Sequence, residues 1–211
     1  MLGVTEQRVG ELSHRELVAR ATTSLGARPG RRLEPIDLRR AAVAVLLVDR
    51  GGLCRVPLIV RGNDAPVHGG QIALPGGRVE PDDVDLGATA RREAMEELGV
   101  PFDAPRVLGT LDDVPTPTGF LITPVVCVLA GDVPFVPNPA EVAAWFEAPL
   151  DAFADPARAE IIGDREWRGN RYTLKAYLHE DRRIWGATAR IMEDLAVRVL
   201  GPGVAGVDAA T

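Results

Sequence analysis

Arg92-Glu93-Ala94-Met95-Glu96-Glu97-Leu98-Gly99-Val100 is the stretch that decides the reading of this chain; it follows the Pro75-Gly76-Gly77 segment by one loop. A helix turns roughly 100° per residue, which leaves Glu97 about 40° from Glu93 with Glu96 beside them. Leu86, Ala90, Ala94 and Leu98 form the apolar stripe of the same helix, so the acids border its buried side. Acids at i,i+4 repel by about 0.2–0.5 kcal/mol per pair. Gly99 is placed to end the helix as its C′ residue. The acids therefore also meet the negative end of the helix dipole, at about 0.3–1 kcal/mol each. Arg92 offsets part of this by pairing with Glu96, and a hard divalent cation on the carboxylate oxygens would offset more. The structural alternative is a solvated acidic face, the usual meaning of a charge run.

Upstream residues favour the chemical reading. Gly76-Gly77, then Glu80, Asp82 and Asp83, then the Arg-Glu-x-x-Glu-Glu-x-Gly run resemble the box of the Nudix family, G-x5-E-x7-R-E-U-x-E-E-x-G-U with U aliphatic. Gly77, Asp83, Arg92, Glu93, Ala94, Glu96, Glu97, Gly99 and Val100 fall on it. Asp83 stands where the family has Glu, and one extra residue separates it from Arg92, to be absorbed at the loop-to-helix junction. A motif this long and chemically constrained rarely arises by chance. The resemblance implies an α/β fold, an α/β/α sandwich around a mixed β-sheet. It also implies a pyrophosphohydrolase with Mg2+ or Mn2+ held by Glu93, Glu96 and Glu97, one of which doubles as general base. Glu141, in Glu141-Val142-Ala143-Ala144-Trp145-Phe146, matches a Glu that Nudix proteins often carry after the sheet as a further ligand or base. Its structural alternative is a surface acid beside Pro139.

A narrower resemblance precedes the box. Leu58-Ile59-Val60-Arg61 and His68-Gly69-Gly70-Gln71-Ile72-Ala73-Leu74-Pro75-Gly76-Gly77 are similar to the segment that marks coenzyme A pyrophosphatases, approximately L-L-T-x-R-S then L-R-x-H-x-G-Q-x-x-F-P-G-G. Asn138-Pro139-Ala140-Glu141-Val142, Pro149-Leu150 and Ile184 to Ile191 extend it over most of residues 39–200. It implies substrate contacts from Arg61, Gln71, Gly76, Gly77 and Arg78. Four positions depart: Gly62 for Ser, Ala65 for Leu, Pro66 for Arg and Leu74 for Phe. A lost charged hydrogen-bonding group is worth about 1.5–3 kcal/mol, and Arg61 or Arg78 is placed to replace it because guanidinium forks suit phosphate. The implied reaction splits coenzyme A or an acyl derivative into 4′-phosphopantetheine and adenosine 3′,5′-bisphosphate. Pro66 keeps open another nucleotide substrate (ADP-ribose, a dinucleotide or a nucleoside triphosphate). A non-catalytic nucleotide sensor on the same fold is the remaining alternative, and the intact acids argue against it.

The chain has 211 residues and a net charge of -6, which disfavours a nucleic-acid coat or a basic membrane-surface protein. Cys54 and Cys127 are too few for a disulfide framework. The early charges Glu6, Arg8, Glu11, Arg15 and Glu16 exclude a signal-peptide core, and no apolar run reaches the length of a membrane span. A cytoplasmic protein acting on a small nucleotide diphosphate is expected, and a homodimer is compatible with it.

The expected organisation is a helical extension over 1–38, a catalytic domain over 39–200 and a disordered tail over 201–211. Residues 1–28 read as one amphipathic helix carrying Val9, Leu12, Leu17, Val18, Ala21 and Leu25. Ala41–Val48 reads as a strand buried on both faces. Val56–Val60, a short strand at Ile72–Leu74, Val107–Leu111 and Ile122–Leu129 follow, with Pro75-Gly76-Gly77 a turn and 115–119 a loop. The signature helix spans Asp85 to Leu98. Residues 140–146 suggest a short turn or helix, Trp167–Tyr177 a hairpin turning at Arg168-Gly169-Asn170, and 184–200 a final helix with Ile184 toward the core. Trp185 reads as core packing.

Overall fold

A computed structural model describes residues 13–34, 37–62, 70–154, 158–167 and 170–200. The chain is α/β. A mixed sheet lies between α1 (His14–Ala27) with α3 (Gly186–Leu200) on one face and α2 (Leu86–Leu98) on the other. Strand alternation in β1 (Arg39–Arg50) builds both layers. Val43, Val45 and Leu47 join Leu17, Leu25, Ile191 and Leu195 in one core. Ala42, Ala44, Leu46 and Val48 join Ala90, Ala94 and Leu98 in the other. The small Ala42 and Ala44 let α2 lie close to the sheet. Burial on both faces is why β1 is apolar without interruption.

β1 runs parallel to β7 (Phe120–Leu129) from Arg39↔Phe120 to Val48↔Leu129, and β5 (Pro105–Thr110) pairs antiparallel with β7. β2 (Leu53–Arg61) pairs with β1 only beside their connecting turn, from Val48↔Arg55 to Arg50↔Leu53. Beyond it the two strands part. β3 (Ile72–Ala73) pairs with β2 at Ile59 and Val60, and β4 (Gly76–Arg78) pairs with β1 at Ala41 to Val43. The segment 72–78 therefore fills the fork between β1 and β2, pinned by Ala44 N donating to Pro75 O at 2.8 Å. Short β6 (Val114–Pro115) pairs with β7, and β8 (Val142–Pro149) closes the outer edge of β2. A short 3-10 turn (Leu150–Phe153) leads toward a second sheet, β11-β10-β9, made of β9 (Ala159–Trp167), β10 (Asn170–His179) and β11 (Arg182–Trp185).

The longer apolar strands and the hairpin form where the sequence predicts them and extend beyond the expected bounds, whereas the signature helix and the short strand at Ile72 are each one residue shorter. Several expectations need correction. The first helix does not run from residue 1 through 28: Ser13 is extended, bridges Leu53 and caps α1 in a reciprocal capping box with Glu16. Val9 and Leu12 lie outside the described residues, as do the hairpin turn residues Arg168 and Gly169 and the tail from 201. Gly76 and Gly77 are strand rather than turn, because the fork offers them the edge of β1. Residues 142–149 are strand rather than helix, because the unpaired outer edge of β2 outweighs local propensity. Ile184 sits on β11, and Gly186 at φ +68° breaks from strand to helix. Trp185 is 44% exposed rather than packed in the core. No described helix is long and apolar enough to cross a membrane.

Candidate active site

α2 is held at both ends by the residues that locate it in the sequence. Asp85 caps its N-terminus by accepting from Ala88 N at 2.6 Å, a contribution of about 1 kcal/mol. Gly99 ends it in the left-handed conformation, φ +68°, and its N–H returns to Ala94 and Met95 carbonyls. Asp85 also takes up the extra residue after Asp83, so the departure from the box falls in the capped junction.

Arg92 organises the acids. Its Nε and Nη2 clamp Asp83 at 3.1 Å each, and its Nη1 donates to Glu93 and Glu96 at 2.9 Å each. Nη2 also reaches the Arg78 carbonyl at 2.8 Å. Asp83 accepts further from Glu80 N and Thr89 Oγ1. The Arg92 fork, aided by these bonds against the cost of burial, holds its carboxyl down at about 2. A shorter acid than the family's Glu thus still completes the bidentate pair.

The three signature acids occupy three environments. Glu96 is exposed and, among the described residues, is tied only to Arg92. Glu93 is buried against Gly77, where a Cβ would fall 2.2 Å from Oε1. Burial raises its carboxyl pKa while Arg92 opposes that rise. Glu97 is 0% exposed. Its Oε2 accepts from Gly76 N at 2.9 Å, whereas its Oε1 has no hydrogen-bond partner. The nearest cation is Arg61, with Nη1 3.5 Å from Oε1. Burial outweighs that cation and pushes the carboxyl up to about 7.

The sheet brings the remaining residues to these acids. Arg61, at the end of β2, also donates to the Gly76 carbonyl at 3.4 Å. Its backbone N–H donates to the Gln71 carbonyl, so Gln71 joins the site through its main chain. The Glu141 carbonyl accepts from Gly62 N at 2.8 Å. Its carboxylate accepts from Asn138 Nδ2 at 3.0 Å and raises the pKa of both Glu93 and Glu97. Glu141 thus lies just before β8 within electrostatic reach of the acid cluster. Arg78 follows Gly77 and is exposed, its guanidinium 5.5 Å from the Phe120 ring centroid. Sequence reading gives no role to Asn138, Arg39 or Phe120. Asn138 has a signal in the Asn-Pro-Ala-Glu turn, whereas the other two meet through β1–β7 pairing and carry no local one.

Among the described residues, no three acid, histidine or cysteine side chains already converge as a ready metal cage. The donors nevertheless suit a hard divalent cation. All are carboxylate oxygens, and Glu97 Oε1 is buried without a partner, a condition costing about 1–3 kcal/mol. Glu93, Glu96 and Glu97 could hold such an ion, with Glu141 within electrostatic reach of them.

The comparisons with known proteins agree with this geometry. The NUDIX domain model matches residues 38–167. The chain is 37% identical over 174 residues to a protein named uncharacterized Nudix hydrolase NudL from Cronobacter sakazakii, covering 82% of this chain and 88% of that one. A protein of the same name from Yersinia pestis is 38% identical over 162 residues, 76% and 80% of the two chains. Among solved structures, the Nudix hydrolase RenU of M. smegmatis is 28% identical and covers 54% of this chain and 71% of its own, at a TM-score of 0.45; that likeness carries no weight here. The family model and the long sequence matches place this chain in the Nudix hydrolase family.

Proposed function

We propose that this Nudix hydrolase cleaves the diphosphate of coenzyme A or an acyl-coenzyme A, releasing 4′-phosphopantetheine and adenosine 3′,5′-bisphosphate. Glu97 carries the reading: a wholly buried carboxylate with one oxygen unpartnered costs stability that a bound cation would recover. Glu93, Glu96 and Glu97 hold Mg2+ or Mn2+, which when bound neutralises the phosphate oxygens and acidifies a water. Arg92, clamped by Asp83, positions Glu93 and Glu96 through its Nη1. Arg61 sits between Glu97 and Gly76, where its charge serves the bound diphosphate. Gly77 leaves room for the Glu93 carboxylate and Gly76 for the close approach of β1, where a Cβ would not fit. Glu97 or Glu141 accepts the proton of the attacking water, since Glu97 belongs to the cluster, Glu141 lies within its electrostatic reach and the geometry favours neither. Family membership supports a pyrophosphohydrolase of nucleoside-diphosphate derivatives. Coenzyme A rests on the similarity of Leu58 to Gly77. Pro66, outside the described residues, favours the second reading, a different nucleoside-diphosphate substrate.

Mass-spectrometric product analysis decides between them. The purified protein is incubated with Mg2+ or Mn2+ and coenzyme A, acetyl-coenzyme A, ADP-ribose, NADH or nucleoside triphosphates. Release of 4′-phosphopantetheine is expected. Cleavage confined to another compound would discard coenzyme A, and no cleavage at all would discard the enzyme reading.

A further inference from the structure

A second charged cluster lies just past the acids. Strand alternation puts Arg39 and Ala41 on one side of β1, and the registers Arg39↔Phe120 and Ala41↔Arg78 bring Phe120 and Arg78 to that side. The Arg39 guanidinium lies 4.4 Å from the Phe120 ring centroid and that of Arg78 lies 5.5 Å from it. Both distances are within cation–π range. Among the described residues neither guanidinium makes an ion pair. Two unneutralised cations on one ring repel each other, in a chain whose net charge is -6. The ring holds them in place and supplies no negative charge. Nearby Arg61 is already engaged by Glu97 and Gly76.

The cluster is coupled to the acids through β4. Gly77 lies against Glu93, and the carbonyl of the next residue, Arg78, accepts from Arg92. β4 ends at Arg78, and Val79 N donates to the Arg40 carbonyl at 3.1 Å, so the acids and the arginine pair flank the same end of β4 from its two faces.

We propose that Arg39 and Arg78, braced by Phe120, form a clamp for a phosphate monoester carried by the nucleoside part of the substrate, separate from the diphosphate being cleaved. This rests on the nucleotide-hydrolase reading above and specifies which substrates it prefers. Paired guanidiniums suit a dianionic phosphate. Arg39 and Phe120 stand in none of the quoted motifs, and Arg39 with Arg78 supplies positive charge in a chain where Pro66 stands in place of an Arg.

Isothermal titration of adenosine 3′,5′-bisphosphate and adenosine 5′-monophosphate tests it without relying on turnover. The native protein should bind the bisphosphate about tenfold more tightly or better, and Arg39→Ala should remove most of that preference. Arg78→Ala should act alike and carries the test if Arg39→Ala does not fold. In kinetics, Arg39→Ala should lower kcat/KM about tenfold more for coenzyme A than for 3′-dephospho-coenzyme A, mainly through KM. Absence of a bisphosphate preference in the native protein, or its persistence in the folded variants, overturns the clamp. If coenzyme A is not cleaved but the Arg39-dependent preference is present, the clamp stands and the coenzyme A reading falls.

Discussion

Two buried carboxylates show how differently one chain uses the same group. Asp113 lies under the segment joining α1 to β1. It accepts from Arg32 Nη1, from Thr123 Oγ1 at 2.7 Å and from Leu33 N at 2.8 Å. Arg32 also reaches Thr110 Oγ1 and the Leu111 carbonyl. Every demand of that charge is met, and the segment is sealed onto β5 and β7. Glu97 is as deeply buried but has one backbone donor, one bare oxygen and a cation at 3.5 Å. A satisfied buried charge fixes structure, whereas an unsatisfied one stores a demand that a ligand can meet. The site is thus recognised by what its acid lacks.

Breaking each carboxylate should separate the two uses. Glu97→Gln should lower kcat roughly 10³-fold, about 4 kcal/mol of transition-state stabilisation, while the thermal midpoint stays at or above the native value. Survival of activity would reject the site assignment. Asp113→Ala should do the reverse. It strands Arg32, and breaking a buried pair costs about 3–5 kcal/mol; because Arg32 is about one-third exposed, the low end, about 3 kcal/mol, is expected in urea unfolding, with kcat per folded molecule nearly native.

The contrast sharpens with pH. The Glu97 carboxyl is raised from 4.5 to about 7. Below pH 4.5 it is protonated both folded and unfolded, and its burial costs little. As pH rises from 4.5 through 7 the unfolded chain releases that proton first, so stability is lost across this window and levels off above it. In EDTA, the stability of Glu97→Gln relative to the native protein should grow by about 3 kcal/mol between those limits. A flat difference would show that the carboxyl is not raised. Asp83 has the opposite sign: depressed to about 2, it contributes stability that is lost only as pH falls from 3.8 through 2.

Glycines offer a smaller comparison. At Gly30 a Cβ would fall 2.0 Å from the Leu111 carbonyl, and at Gly77 it would fall 2.2 Å from Glu93 Oε1. Gly30→Ala should cost about 1–3 kcal/mol of stability with kcat preserved, since backbone must move. Gly77→Ala should spare more stability, because the obstacle is a side-chain end, yet weaken Mn2+ binding measured by calorimetry. Equal metal affinity in Gly77→Ala and the native protein would remove Glu93 from the ligand set. Ser13→Ala should have the smallest effect, about 1 kcal/mol of stability lost with the capping box and read as a lower thermal midpoint, with activity unchanged.

Much of this was legible locally. The α2 stripe and its Gly99 stop are signals within one helix, and they orient Glu93, Glu96 and Glu97 before any tertiary contact forms. The unbroken apolar run of β1 needs no partner to predict burial on both faces. The misread segments share a cause. Gly76-Gly77 and residues 142–149 become strands because the edges of β1 and β2 lack partners, a fact absent from either segment. Gly186, whose φ only a turn accommodates well, moves Ile184 from helix to strand.

By itself the sequence determined the family, the signature helix and the identities of the acids, because these depend on residue type at helical spacing. Tertiary structure alone decided their chemical inequality. The fork between β1 and β2 brings Gly76 N and Arg61 to Glu97 and leaves one oxygen bare, while Glu96, one residue away, remains in water. It also decided that Arg39 and Arg78 share the face of Phe120. Desolvation and charge proximity depend on what packs alongside, and strands distant in sequence supply those neighbours.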